Sequence, residues 1–160
     1  MNSIDLAAKL ISRTMKLLAA IALFMLSLFI LADVLARGLL GTPLAGVKEM
    51  IANSIVLIAF LQLPYTIRIG GMLRAEILDE NLPPVLLITL KRLSYLLGAL
   101  LFALIAYSSF QPMLGALASG EYEGEGFRVP TSPVRVVIVF GAALGALNFL
   151  LLAIRGETVD

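Results

Sequence analysis

Cysteine, histidine and tryptophan are absent from this chain of 160 residues, and only 14% of its residues are charged. Without cysteine or histidine it cannot supply the usual ligands of haem, of an iron–sulfur cluster or of an ordinary zinc site. Ser-His and Cys-His nucleophilic catalysis lose their base for the same reason. No disulfide is possible, so cysteine usage says nothing about the redox compartment. No cofactor is expected, and no enzymatic activity. A net charge of +1 argues against a nucleic-acid partner. What fills the chain instead is apolar: 60% of residues are hydrophobic and the mean hydropathy is +1.00. A soluble domain carries about a quarter charged residues, so composition alone indicates an integral membrane protein whose surroundings are the lipid bilayer.

The apolar residues fall into four runs, and the fold class expected is an all-α membrane protein with four transmembrane helices. The first span is placed at 17–36, about 30 Å of helix, with no charge between Leu17 and Ala32. A basic segment ahead of it and Val34-Leu35-Ala36 behind it mimic a signal peptide, but the apolar run is longer than the usual signal core. The second span is placed at 47–67, with Gln62 and Pro64 predicting a kink or a loosened last turn. A short surface helix is expected in MLRAEILDENLPP before Pro83 and Pro84. The third span is placed at 85–110, with Val85 to Leu90 at the interface and Leu93 to Phe110 crossing. Gln111 to Pro133 reads as a long Gly-rich connection, and the fourth span follows at 134–154.

Ahead of the first span, residues 3–16 carry Asp5, Lys9, Ser12, Arg13 and Lys16 on one helical face and Ile4, Ala7, Ala8, Ile11 and Met15 on the other. This predicts an amphipathic interfacial helix lying on an anionic leaflet, with Ser3 as its N-cap. The alternative is a plain extension of the first span into water. The whole chain reads as a single membrane domain, with no internal repeat.

Four spans put both termini on one side. Eight of the twelve basic residues lie with the termini (Lys9, Arg13, Lys16, Arg68, Arg74, Lys91, Arg92, Arg155) and four lie opposite (Arg37, Lys48, Arg128, Arg135). The positive-inside rule therefore places both termini in the cytoplasm. The hairpin from Asp33 to Glu49, with charges flanking Gly41, Pro43 and Gly46, is then the first exposed connection.

Polar residues near or in the spans are the candidates for function. Asp33 and Arg37 are four residues apart and can pair, either as a surface anchor or with one of them facing a partner helix. Glu49 and Asn53 share a face at the start of the second span; the helix dipole or an interhelical contact would explain Glu49. Gln62 lies on the face opposite Asn53 and suits a locally broken backbone. Asn148, alone in the fourth span, suits interhelical hydrogen bonding. Glu121, Glu123 and Glu125 lack the pattern of a calcium loop and suit a flexible, solvated connection. No span carries an ionisable residue at its midpoint, so the chain is a poor candidate for holding substrate or moving protons alone.

The pattern resembles the small permease subunit of TRAP transporters, the tripartite ATP-independent periplasmic family, over nearly the whole chain. Asp33-Val34-Leu35-Ala36-Arg37 is similar to the family's acid-or-amide, apolar, arginine segment at the end of the first span. Pro43 followed by Glu49 resembles the proline and acid that open its second span. Gly70-Gly71-Met72-Leu73-Arg74-Ala75-Glu76 resembles its glycine, histidine, apolar, arginine, apolar, acid motif, with Met72 where histidine is frequent. Phe127 to Pro133 is similar to its proline-bearing re-entry, while the family's tryptophan before the second-span acid is missing. The resemblance implies a bacterial inner-membrane protein that scaffolds a large multi-spanning permease subunit and helps dock a periplasmic solute-binding protein. It also implies sodium-coupled uptake of an organic acid or similar solute. Arg37, Glu49, Asn53, Arg74 and Glu76 become candidates for the subunit interface, and Glu121, Glu123, Glu125 and Arg128 for docking the binding protein. Competing readings are a four-span exporter working as a homodimer, an intramembrane hydrolase built on Asp33 and Glu49, and an assembly subunit of another complex.

Overall fold

The computed structural model describes residues 3–42, 46–70, 83–123 and 129–155. Four helices carry the fold: α1 (Ser3–Leu40), α2 (Val47–Arg68), α3 (Pro84–Ser119) and α4 (Ser132–Arg155). Each is long and apolar enough to cross a membrane, as the four apolar runs predict. A minimal ladder, β1 (Tyr122–Glu123) antiparallel to β2 (Val129–Pro130), joins α3 to α4. The surface helix expected over 72–82 lies outside the described residues.

Two helices run further than their sequences suggest. Residues 3–16 are not a separate interfacial helix; they are the first turns of α1, which continues unbroken for 38 residues. No glycine or proline interrupts the chain between Ser3 and Ala36, and a single seam is buried along it. Asp5, Ala8, Ser12, Met15, Ala19, Leu26 and Asp33 are buried, with Ala22 and Phe29 half-buried between them. These positions alternate by three and four, the spacing of a left-handed helix–helix seam. The seam cuts across the expected amphipathic faces: Asp5 and Ser12 point inward, while Ala7 and Ile11 are exposed. In α3 the helix passes Phe110 and Pro112 and stops only at Gly120, whose φ of +60° is the left-handed turn that ends helices. Proline at 112 removes one backbone hydrogen bond, a loss that helices at membrane depth tolerate. The following Leu114, Ala116, Leu117 and Ala118 are good helix formers.

The helices stand in an open row, α1–α2–α4–α3, rather than a closed bundle. α1 with α2 and α3 with α4 are antiparallel hairpins, and the row is made continuous by α2 against α4. That central pair runs parallel, as its contacts show: Phe60 lies against Gly141, Leu63 and Ile67 against Gly145, and Arg68 against Asn148. Gly141 and Gly145, one turn apart, let the backbones approach closely. A Cβ at residue 141 would lie 2.5 Å from the Phe60 carbonyl oxygen. That carbonyl is the one whose helical partner Pro64 removes, because proline has no N–H to donate four residues back. Two apolar clusters flank the seam. Met15, Ala19 and Leu26 pack with Ile58 and Leu61 on one side. Tyr95, Ala99 and Phe102 pack with Ala142, Ala146, Phe149 and Leu152 on the other, with the Phe102 and Phe149 rings stacked at 5.7 Å.

The uncharged runs of the helices are out of step along the row. Ser12 lies four residues before Lys16, where the uncharged run of α1 begins, yet it is hydrogen-bonded to Asn148, seven residues before Arg155 in α4. The inner limits of the two runs are therefore displaced by eleven residues, about 16 Å along the axes. The displacement belongs to α1 alone: Arg68, which ends the uncharged run of α2, lies beside Asp5, seven residues before Ser12, level with the end of the uncharged run of α4 seven residues beyond Asn148.

Gly141→Ala should push α2 from α4 and lower stability by about 1–3 kcal/mol. Gly38→Ala, with nothing within 4 Å of the new methyl, should be neutral or slightly stabilising. Thermal unfolding in mild detergent compares them, and equal midpoints would show that the close crossing is not limiting.

Candidate functional site

Polar side chains gather at two places in the row. The first joins α1, α2 and α4 at the end where the chain begins. Arg68, in the last turn of α2, has its Nη2 2.5 Å from Asp5 Oδ1, and its Nη1 donates to Asn148 Oδ1 at 3.4 Å. Asn148 Nδ2 in turn donates to Ser12 Oγ at 3.2 Å and to the Pro64 carbonyl at 3.0 Å. Asp5, Ser12 and Asn148 are each at most 1% exposed. A basic residue is favoured at a helix C-terminus by the dipole, and the planar guanidinium can hold two partners at once. Lys16 adds a second link between α1 and α2, with its Nζ 4.1 Å from the centre of the Tyr65 ring. These groups spend their bonds on one another, so the arrangement works as a clasp on three helices.

The second gathering lies at the opposite end, in two parts. On α1, Arg37 Nη2 sits 2.6 Å from Asp33 Oδ2, confirming the pairing that their spacing allows; the arginine side chain is 51% exposed while the aspartate is buried on the seam. The pair is thus not purely a surface anchor. Glu49 and Asn53 are both half-buried in the first turns of α2. Arg37 pairs with Asp33 and not with Glu49 among the described residues. On the other hairpin, Arg135 Nη1 donates to the Pro112 carbonyl and its Nη2 meets Glu121 Oε2, both at 2.9 Å. The Thr131 amide and hydroxyl both donate to the Glu121 carbonyl at 3.1 Å. Glu121 is therefore held in a cap over the end of α3, not in a loose loop, and the backbone of Glu123 pairs with Val129. Arg74, Glu76, Glu125 and Arg128 lie outside the described residues. Among the described residues, no three acidic side chains converge to hold a metal ion.

Sequence reading assigned Asn148 correctly to interhelical bonding but missed its partners. The sequence puts Asp5 and Ser12 on the polar face of an interfacial segment and shows Arg68 only as one of the basic residues on the side of the termini. The signal was present in the three-and-four spacing from Asp5 to Asp33, which runs unbroken through the supposed boundary at residue 16. Arg135, too, gave no sign of reaching back to Pro112, 23 residues earlier.

Breaking a buried ion pair costs about 3–5 kcal/mol because it strands a charge, whereas an exposed pair contributes at most about 1 kcal/mol. Arg68→Ala should therefore destabilise the detergent-solubilised chain far more than Glu121→Gln, which breaks a pair with both side chains substantially exposed. Denaturation midpoints in a titration with sodium dodecyl sulfate make the comparison; losses of similar size would remove the distinction between clasp and surface pair.

No curated protein matches the chain. Residues 26–158 match the family of tripartite ATP-independent periplasmic transporters, DctQ component. The matched stretch begins within α1 and includes Arg68 and Asn148, while Asp5 and Ser12 precede it. With most of the chain matched, and with four apolar helices long enough to span a bilayer, this protein belongs to the DctQ family, the small permease component of TRAP transporters.

Proposed function

We propose that this chain is the membrane scaffold on which a large permease subunit is assembled, and that it helps a periplasmic solute-binding protein dock. The transporter would drive sodium-coupled uptake of an organic acid or similar solute across the bacterial inner membrane. The observation that carries this reading is the open row. Its edge helices α1 and α3 have 38 and 36 residues, well beyond the roughly 20 that cross a bilayer. Both expose leucines along their length, whereas Asp5, Arg68, Ser12 and Asn148 are consumed in holding helices together. A row built this way offers rails for another membrane subunit more readily than a cavity for a solute.

The excess of basic residues at the end holding the clasp favours a cytoplasmic location for both termini. The end with Asp33, Arg37, Glu49 and Asn53, and with the Arg135–Glu121 cap, then faces outward. Arg37, half-exposed beside its aspartate, and Glu49 and Asn53 are the described residues we assign to the subunit interface; Arg74 and Glu76 are assigned to it from the family pattern. The acidic connection with Glu121, Glu123, Glu125 and Arg128 is assigned to docking.

A tagged chain drawn from its native membrane in mild detergent should bring with it a much larger multi-spanning partner in fixed ratio, identified by mass. A chain that emerges alone or as a homodimer would overturn the scaffold role. Replacing Glu121, Glu123 and Glu125 together by glutamine should weaken uptake at low binding-protein concentration while complex yield stays constant. Unchanged uptake across that concentration range would remove the docking assignment.

A further inference from the structure

The first turns of α1 carry three cations on one flank, Lys9, Arg13 and Lys16, at i, i+4 and i+7. All three are exposed. Their flank adjoins the buried seam, and the Tyr65 ring beneath Lys16 fixes one end of it. The segment contains a single acid, Asp5, and Arg68 draws that acid inward, away from the three cations. Among the described residues, Lys9 and Arg13 meet no carboxylate. The clasp therefore does two things at once. It stiffens the segment as a continuation of α1, and it leaves Lys9 and Arg13 without a carboxylate among the described residues.

Depth sets what that flank can meet. The uncharged run of α1 ends at Lys16, and long basic side chains reach from there toward the headgroups while their stems stay against apolar surface. Lys16, Arg13 and Lys9 then step outward over about 10 Å of helix axis, and less along the membrane normal. That is close to the thickness of one polar headgroup layer, about 5–8 Å. Leu6 and Leu10 are exposed next to the cations and behind them, and Ile11 on the far flank, so the same segment offers apolar contact to acyl chains beside charge for phosphates. Ordered cations at headgroup depth, with an apolar flank, complement an anionic lipid.

We infer that Lys9, Arg13 and Lys16 form a binding stripe for the phosphate headgroups of anionic phospholipids in the leaflet at the chain's N-terminal end. The stripe belongs to this chain alone, so it stands or falls independently of the scaffold role. The clasp residues are positioning residues for it: they touch no lipid but hold the helix that does.

The test uses the full chain reconstituted in nanodiscs of phosphatidylcholine doped with phosphatidylglycerol. After release into mild detergent, native mass spectrometry counts the lipids retained. Retained phosphatidylglycerol should be enriched over its share in the disc. Substituting Lys9→Gln, Arg13→Gln and Lys16→Gln together should lower the enrichment by roughly fivefold for each cation removed. The charge-keeping pair Lys9→Arg and Lys16→Arg should preserve it, and so should Lys48→Gln at the other end of the row. Added inorganic phosphate should not displace the lipid, since the apolar flank holds only a molecule with acyl chains. Equal enrichment in the wild type and the triple variant would overturn the proposal. So would displacement by phosphate, or a triple variant that keeps its lipid but loses the large partner, because the stripe would then be an anion site or a protein contact.

Discussion

Two helical hairpins become one protein mainly along one line of contact, α2 against α4. Within each hairpin the helices are antiparallel and joined by a short connection, so their association needs little more than matched apolar faces. Between the hairpins there is no such help. The parallel crossing of α2 and α4 depends on close backbone approach, made possible by Gly141 and Gly145, and is closed at its inner end by Arg68 and Asn148. Helix association in lipid has no hydrophobic drive between apolar faces, so close packing and polar contacts must supply it. Both are concentrated on this line.

The same line accommodates the one proline in the middle of the row. Pro64 frees the carbonyl of Phe60, and that carbonyl lies against the bare backbone of Gly141. The next turn offers its own carbonyl to Asn148. A defect in one helix thus coincides with a glycine and an amide in its neighbour. Asn148 also reaches across to Ser12, so α1 is tied to the same point although it packs mainly on α2. The open row follows from this arrangement: α1 and α3 each have one packed flank and one left for lipid or for another subunit.

For the family's transport task this geometry favours rigidity over chemistry. Charges taken out of water are costly unless paired, and here the inner ones are spent on fastening. The outer ones, Asp33 with Arg37 and Arg135 with Glu121, brace the ends of the two hairpins. A subunit built so can hold a shape against which a larger, moving partner works.

Composition and the spacing of apolar runs by themselves determined the solvent and the number of helices, because hydrocarbon admits few alternatives: an apolar run of sufficient length without charge must be helical and must span. Spacing likewise determined that Asp33 and Arg37 could pair, a contact one helical turn long. Tertiary structure decided what depends on neighbours distant in sequence. It turned Asp5 and Ser12 inward, because a partner 63 residues away in one case and 136 in the other awaits them. It carried α3 past Pro112, where Arg135 meets the proline's carbonyl, and it laid the four helices in a row rather than a bundle. An amphipathic segment reads the same whether its polar face meets water or a buried guanidinium; only the arrival of Arg68 distinguishes them.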